Sequence, residues 1–198
     1  MKASKAALRG QLRGQRRALG GREHAALSRA AQRAILRMPQ FRAGARVAVY
    51  LPIDRETDTA LLRAAARRRG VRLFVPVIAD MRRRRIEFHP FAGRMRRGAY
   101  GISIPHEADH PVGARWLDLV VVPLVGIDAG GRRLGMGGGF YDRAFAYRAC
   151  RRHWSGPCLI GLGFDFQRVD AVFAEPWDLR LDGFAGETGI IRYPRRPQ

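Results

Sequence analysis

An α/β fold, with a mostly parallel sheet flanked by helices in three layers, follows from three features of this 198-residue chain. Runs rich in β-formers alternate with segments of helical periodicity, the pattern of parallel strands joined by crossover helices. The run "LDLVVVPLVGID" (117–128) is apolar almost throughout, as a strand buried on both faces must be. The composition, 46% hydrophobic and 27% charged, is that of an ordinary globular protein with material for one core, so one domain spanning 1–198 is expected.

The elements follow in order. Leu8, Leu12 and Leu19, then Leu27, Ala31, Ala34, Ile35 and Met38, recur at helical spacing and predict two helices within 4–38, broken near "GGRE". Pro39 ends the second. "RVAVYLP" (46–52) is a β-rich run closed by proline. "TDTALLRAAARRRG" (57–70) opens on capping residues and ends on arginines and Gly70, so it predicts a helix. "VRLFVPVI" (71–78) completes a βαβ unit, and "RIEFHPF" (85–91), beside the arginine turn 82–85, predicts an antiparallel edge strand. The strand over 117–128 is expected next, then the glycine segment, a helix over "YDRAFAYRACRRHW" (141–154) and a strand over "CLIGLGF" (158–164).

The formal net charge of +20 raises nucleic-acid binding as an alternative function, because cationic side chains displace counterions from phosphates. The base is nearly all arginine, however, with lysine only at Lys2 and Lys5, and it is spread along the chain rather than gathered into a stripe. Such a bias follows genome base composition, and it predicts steering of small anions rather than a specific nucleic-acid partner. No apolar run approaches the ~18 residues of a membrane span. The start lacks the apolar core of a secretory signal, so a cytoplasmic protein is expected; its arginine-rich amphipathic character leaves a transit peptide as the alternative. Cys150 and Cys158 fit no metal or redox spacing and are read as reduced thiols. His24, His89, His106, His110 and His153 show no ligand spacing.

"RLGMGGGFYDR" (133–143) is the informative stretch. No Gly-Lys pair exists, so the Walker pattern is absent, and the fold is Rossmann-like without the dinucleotide fingerprint: from Gly135 the third glycine falls on Phe140, from Gly137 on Asp142. Glycines between a strand and a helix let backbone N–H groups approach an anion, and the helix N-terminus adds a favourable dipole. Arg133 before them suits phosphate charge, and Asp142 after them suits a hydrated Mg²⁺ bridging phosphates. A tight strand-to-helix turn with a capping aspartate is the alternative.

The same stretch resembles the signature of the 5-formyltetrahydrofolate cyclo-ligase family. "KAALR" (5–9), "YLPIDRETDT" (50–59), "VVPLVGIDAGGRRLGMGGGFYDRAF" (121–145) and "EPWDLRLDGFAGETGII" (175–191) are similar to that family's landmarks and come in its order. The resemblance implies ATP- and Mg²⁺-dependent closure of 5-formyltetrahydrofolate to 5,10-methenyltetrahydrofolate through a phosphorylated formyl group, by a monomer or small homo-oligomer using small-molecule substrates. It assigns Lys5, Arg9, Arg133, Leu134, Gly135, Met136, Gly137, Gly138, Gly139, Phe140 and Tyr141 to ATP. It assigns Leu51 and Glu56, with Met136 to Phe140, to the folate, and Asp142 and Asp178 to the metal, with Asp182 a competitor for the second position. Arg133 and Tyr141 are the expected catalytic residues, and Tyr50 and Pro52 structural neighbours. The chain departs from the family pattern at "GISIPHEAD" (101–109), with Ile104 where an acid is expected and Glu107 as the nearest substitute, and at Trp177. An enzyme of the same fold acting on another acyl substrate is the remaining alternative.

Overall fold

The computed structural model describes residues 4–91, 95–97, 103–105, 110–149, 156–173, 175 and 178–194. Two helices open the chain, α1 (Lys5–Ala18), capped by the Ser4 hydroxyl, which accepts the Ala7 N–H, and α2 (Gly21–Leu36). They break at Gly20, as expected. The strands β1 (Arg46–Ala48), β2 (Arg72–Asp80), β3 (Arg85–Pro90), β6 (Leu119–Pro123), β9 (Cys158–Leu162), β11 (Gly183–Gly186) and β12 (Gly189–Arg192) form one sheet, ordered β12-β11-β9-β6-β1-β2-β3. Its interior is parallel, with Val47 opposite both Leu73 and Leu119, Val121 opposite Ile160, and Ile160 opposite Gly183. Both edge strands run antiparallel, so the βαβ unit and the antiparallel edge over 85–91 stand as expected. A separate two-stranded ribbon pairs β4 (Met95–Arg97) with β5 (Ser103–Pro105).

Alternation along the strands fills two cores. On one face Val47, Val49, Leu73, Val75, Val121 and Ile160 pack with Ala31 and Ile35 of α2 and with Leu62 and Ala65 of α3 (Ala60–Arg69). Gly70 ends α3 with φ +65°, a left-handed cap that favours glycine. On the other face Ala48, Phe74, Val120, Val122, Leu159 and Phe184 pack with Phe145 and Tyr141. This second layer rests on α4 (Phe140–Ala144) and a 3₁₀ turn over Ala146–Ala149.

Two expectations are corrected here. The apolar run 117–128 is not one strand: β6 ends at Pro123, and β7 (Gly126–Asp128) joins β8 (Arg133–Leu134) and β10 (Arg168–Val169) in a second, three-stranded sheet. Proline removes a ladder donor, and Gly126 admits α1: a Cβ there would lie 2.8 Å from Leu12 Cδ1. In place of the helix expected over 141–154 stand the five-residue α4, which starts at Phe140, and a 3₁₀ turn, and 150–154 lie outside the described residues. The N-cap position of α4 is Gly139 with φ +68° and no side-chain cap, so so short a helix offers little of the dipole expected for anion binding. The strands over 46–52 and 158–164 also end early, and α3 begins at Ala60, where the Asp58 carboxylate accepts the Thr59 and Ala60 N–H groups. The closing hairpin β11–β12 was not anticipated.

Candidate active site

The carboxyl ends of the parallel strands face one way, and ligands of such sheets bind beyond them. The chain leaving β1 runs through Leu51 to Glu56, and the chain leaving β6 reaches the second sheet and the glycine segment. Gln167 pins that sheet: its buried amide donates to the Leu124 and Val125 carbonyls and accepts the Phe164 N–H. Leu12 of α1 packs on Val125, Leu134 and Val172, which lays α1 across the second sheet. Because Lys5, Arg9 and Arg13 follow at four-residue intervals, one face of α1 then presents its cations to different loops.

Those contacts are specific. Arg9 Nε donates to the Gly135 carbonyl at 2.8 Å, and a Cβ on Gly137 would lie 3.9 Å from its guanidinium carbon. Lys5 Nζ sits 2.8 Å from Asp178 Oδ2, which also accepts the Glu175 N–H. Arg133 is buried, its side chain 6% exposed. It donates to both Asp142 carboxylate oxygens at 3.2 and 3.0 Å and to the Pro123 carbonyl at 3.1 Å. Its guanidinium lies over the Tyr141 ring and folds so closely on the glycine segment that a Cβ at Gly135 would come within 2.9 Å of it. Arg133 Nε is buried without a hydrogen-bond partner among the described residues. Asp142 Oδ1 accepts the Leu179 N–H, which places Asp142 beside the chain at Asp178.

The electrostatics separate the groups by role. Burial pushes the Asp142 carboxyl up, but the Arg133 charge and the Leu179 N–H outweigh it and hold it below its ordinary value. Glu56 is buried, and desolvation raises its carboxyl above the usual range despite the Ile53 N–H it accepts and the charge of Arg16. Burial also raises Tyr141 far above an ordinary phenol, so its hydroxyl stays protonated at neutral pH. Tyr50 is raised in the same way and donates to the Thr57 carbonyl, holding the chain near Glu56.

The structure thus gathers Lys5, Arg9, Arg133, Asp142, Asp178 and the glycine segment into one hydrogen-bonded cluster, with Met136 exposed at its rim. Glu56 and Tyr141 lie within electrostatic reach of Arg133, while Leu51 packs half-buried against the α2 and α3 core. Asp182 is set apart: it pairs with Arg148 and accepts the Leu159 N–H at the amino ends of the strands. A cavity of about 550 Å³ lies at those amino ends, lined by Asp118, Cys158, Asp182 and Arg192 and by none of the glycine segment. Among the described residues no three His, Cys, Asp or Glu come together as a metal cluster, and no helix is long and apolar enough to cross a membrane. The side chain of Ile104, and Glu107, Trp177, His106, His153 and Cys150, lie outside the described residues. Sequence reasoning missed Arg16 and Asp54; their signals were basic residues at helical spacing on α1 and an acid two residues before Glu56.

Residues 1–185 match the model of the 5-formyltetrahydrofolate cyclo-ligase family. A 5-formyltetrahydrofolate cyclo-ligase of Escherichia coli is 30% identical over 174 residues, 86% of this chain and 93% of that protein. One from Haemophilus influenzae is 28% identical over 74% of this chain and 78% of its own. The solution structure of Aquifex aeolicus 5,10-methenyltetrahydrofolate synthetase superposes with a TM-score of 0.80 at 26% identity, covering 98% of this chain and 95% of that one. With its signature intact and its fold shared, the chain belongs to the 5-formyltetrahydrofolate cyclo-ligase family.

Proposed function

We propose that this protein converts 5-formyltetrahydrofolate and ATP to 5,10-methenyltetrahydrofolate, ADP and phosphate, with Mg²⁺ as the metal. The observation that carries the reading is the cluster of Lys5, Arg9 and Arg133 with Asp142 and Asp178 around the glycine segment. Three cations beside an open backbone suit a triphosphate, whose transfer requires positioning and charge stabilisation more than a covalent nucleophile. Two aspartates fit Mg²⁺, which takes one or two carboxylates and completes its shell with water and phosphate oxygens. Asp142 and Asp178 would hold the ion, which when bound neutralises phosphate charge.

In the proposed sequence the formyl oxygen attacks the γ-phosphorus and ADP departs. The N10 amine then attacks the activated formyl carbon, loses its proton to solvent, and phosphate leaves with the former formyl oxygen. Phosphorylation matters because that oxygen is otherwise a hydroxide-like leaving group. Lys5 and Arg9 bind phosphates, and Lys5 exchanges Asp178 for them. Arg133 orients Asp142 and stabilises charge on the transferring group. Tyr141, held protonated, donates a hydrogen bond rather than acting as a base. Glu56, when ionised, accepts from the amino and ring N–H edge of the pterin.

The test is incubation of the protein with 5-formyltetrahydrofolate and MgATP while following the near-ultraviolet absorbance of the methenyl product. Product formation above the no-enzyme control is expected; its absence with folded protein overturns the reading.

A further inference from the structure

The turn before Glu56 is unusual. The Glu56 N–H donates to the Ile53 carbonyl at 2.9 Å, closing a turn whose central residues, Asp54 and Arg55, have φ of +46° and +57°. Both central positions are therefore left-handed, a conformation that aspartate tolerates with glycine and asparagine but that costs about 1–2 kcal/mol at Arg55. Strain of this kind persists only where surrounding contacts over-determine it, and it concentrates at functional sites.

Here the contacts come from the first two helices. Arg13 Nε donates to Asp54 Oδ2 at 2.9 Å, Arg16 Nη2 to the same oxygen at 3.2 Å, and Arg17 to Oδ1 through Nε and Nη2 at 2.9 and 2.7 Å. One carboxylate thus accepts from three guanidinium groups, and Arg16 is almost wholly buried, at 1% exposure. Arg55 is held as well: its Nη2 donates to the Leu19 carbonyl, and the His24 ring bonds its carbonyl oxygen. The turn in return closes on the acid that follows it, because the Ile53 N–H donates to Glu56 Oε2 at 3.2 Å. The same α1 face carries Arg9 to the Gly135 carbonyl and Lys5 to Asp178.

We propose that Asp54 is a positioning residue for Glu56, and that its clasp by Arg13, Arg16 and Arg17 locks the strained turn so that the Glu56 carboxylate faces the folate in a fixed register with the ATP-binding end of α1. Asp54 touches no substrate; it acts through the turn. The inference rests on the proposed folate role of Glu56.

The test is steady-state kinetics on Asp54→Asn and Asp54→Gly, alone and combined with Glu56→Gln, with 5-formyltetrahydrofolate and MgATP varied in turn. Asparagine and glycine both accept left-handed backbone, so both variants keep a foldable turn while losing the charged clasp. Each single variant is expected to raise KM for the folate about tenfold and leave KM for ATP within about twofold. On the Glu56→Gln background neither should raise folate KM further, because the two residues act through one contact. Folate KM unchanged in both variants, or equal rises in the two KM values, or rises that multiply in the double variants, overturn the proposal. An inactive wild-type protein instead overturns the function on which it rests, so the two failures are distinguishable.

Discussion

Replacing Asp142 by alanine should destabilise the protein even without nucleotide or metal. Asp142 pairs with Arg133, whose side chain is only 6% exposed, and it also accepts the Leu179 N–H. Removing the carboxylate strands a guanidinium whose Nε already has no partner among the described residues, leaving it the Pro123 carbonyl and the Tyr141 ring. Breaking a fully buried pair from one side costs about 3–5 kcal/mol. The Asp142 side chain is 21% exposed, so water reaches its side of the pair and about 2–4 kcal/mol is expected, including the lost Leu179 bond. At about 2–4 °C per kcal/mol for a chain of this size, the melting temperature should fall by about 5–15 °C. The assay is thermal unfolding of Asp142→Ala, Arg133→Met and the double variant in buffer free of divalent ions. The double variant should lose less than the sum of the singles by at least about 1 kcal/mol, since no charge is then stranded. The Asp142 carboxyl is lowered in the folded state, so its contribution is complete above the unfolded value of about 3.9 and disappears as pH falls through the folded value. The gap between wild type and Asp142→Ala should therefore be constant near neutrality and close only in acid. A melting temperature within about 2 °C of wild type, or strictly additive losses, would refute the reasoning.

Other expectations concern the two substrates and the frame that holds them. Glu56→Gln should raise folate KM with little change for ATP; it should also remove the acid limb of kcat/KM for the folate, which in wild type lies above the ordinary carboxyl range because burial raises Glu56. A raised acid loses folded-state stability as pH rises through its folded value, so Glu56→Gln should melt no lower than wild type at pH 7, a comparison made by calorimetry. Lys5→Ala breaks a pair whose side chains are 26% and 19% exposed, so stability should drop by less than about 1 kcal/mol while KM for ATP rises about tenfold in steady-state assays. Gly131→Ala places a Cβ 2.7 Å from the Tyr193 ring and 2.9 Å from the Leu181 carbonyl oxygen, at a φ of +76°. Strain and clash together should cost more than about 2 kcal/mol in urea unfolding, without altering either KM in the protein that remains folded.

The local signals carried far. Apolar spacing marked α1 and α2, capping residues and Gly70 marked the ends of α3, and the glycine signature marked both the family and the segment that Arg9 and Arg133 meet. They failed where a choice depended on partners distant in sequence. An apolar run reads alike whether it stays in one sheet or passes from one buried sheet to another; Pro123 permits a break, and the packing of α1 on Gly126 decides it. The helix expected after the glycine segment had suitable composition, but packing of Phe145 and Tyr141 on the sheet takes the place of further turns among the described residues. Asp178 and Asp182 are near neighbours in the chain, yet the start of β11 sends Asp182 to the amino ends of the strands, while Asp178 stays with Lys5, 173 residues away. The amino-acid sequence by itself determined the α/β class, the first three helices, the βαβ unit and the chemistry available, because periodicity, caps and motifs are local. Only the tertiary structure decided which acid meets which base, because an ion pair depends on distance through space, and that distance is set by how α1 crosses the second sheet.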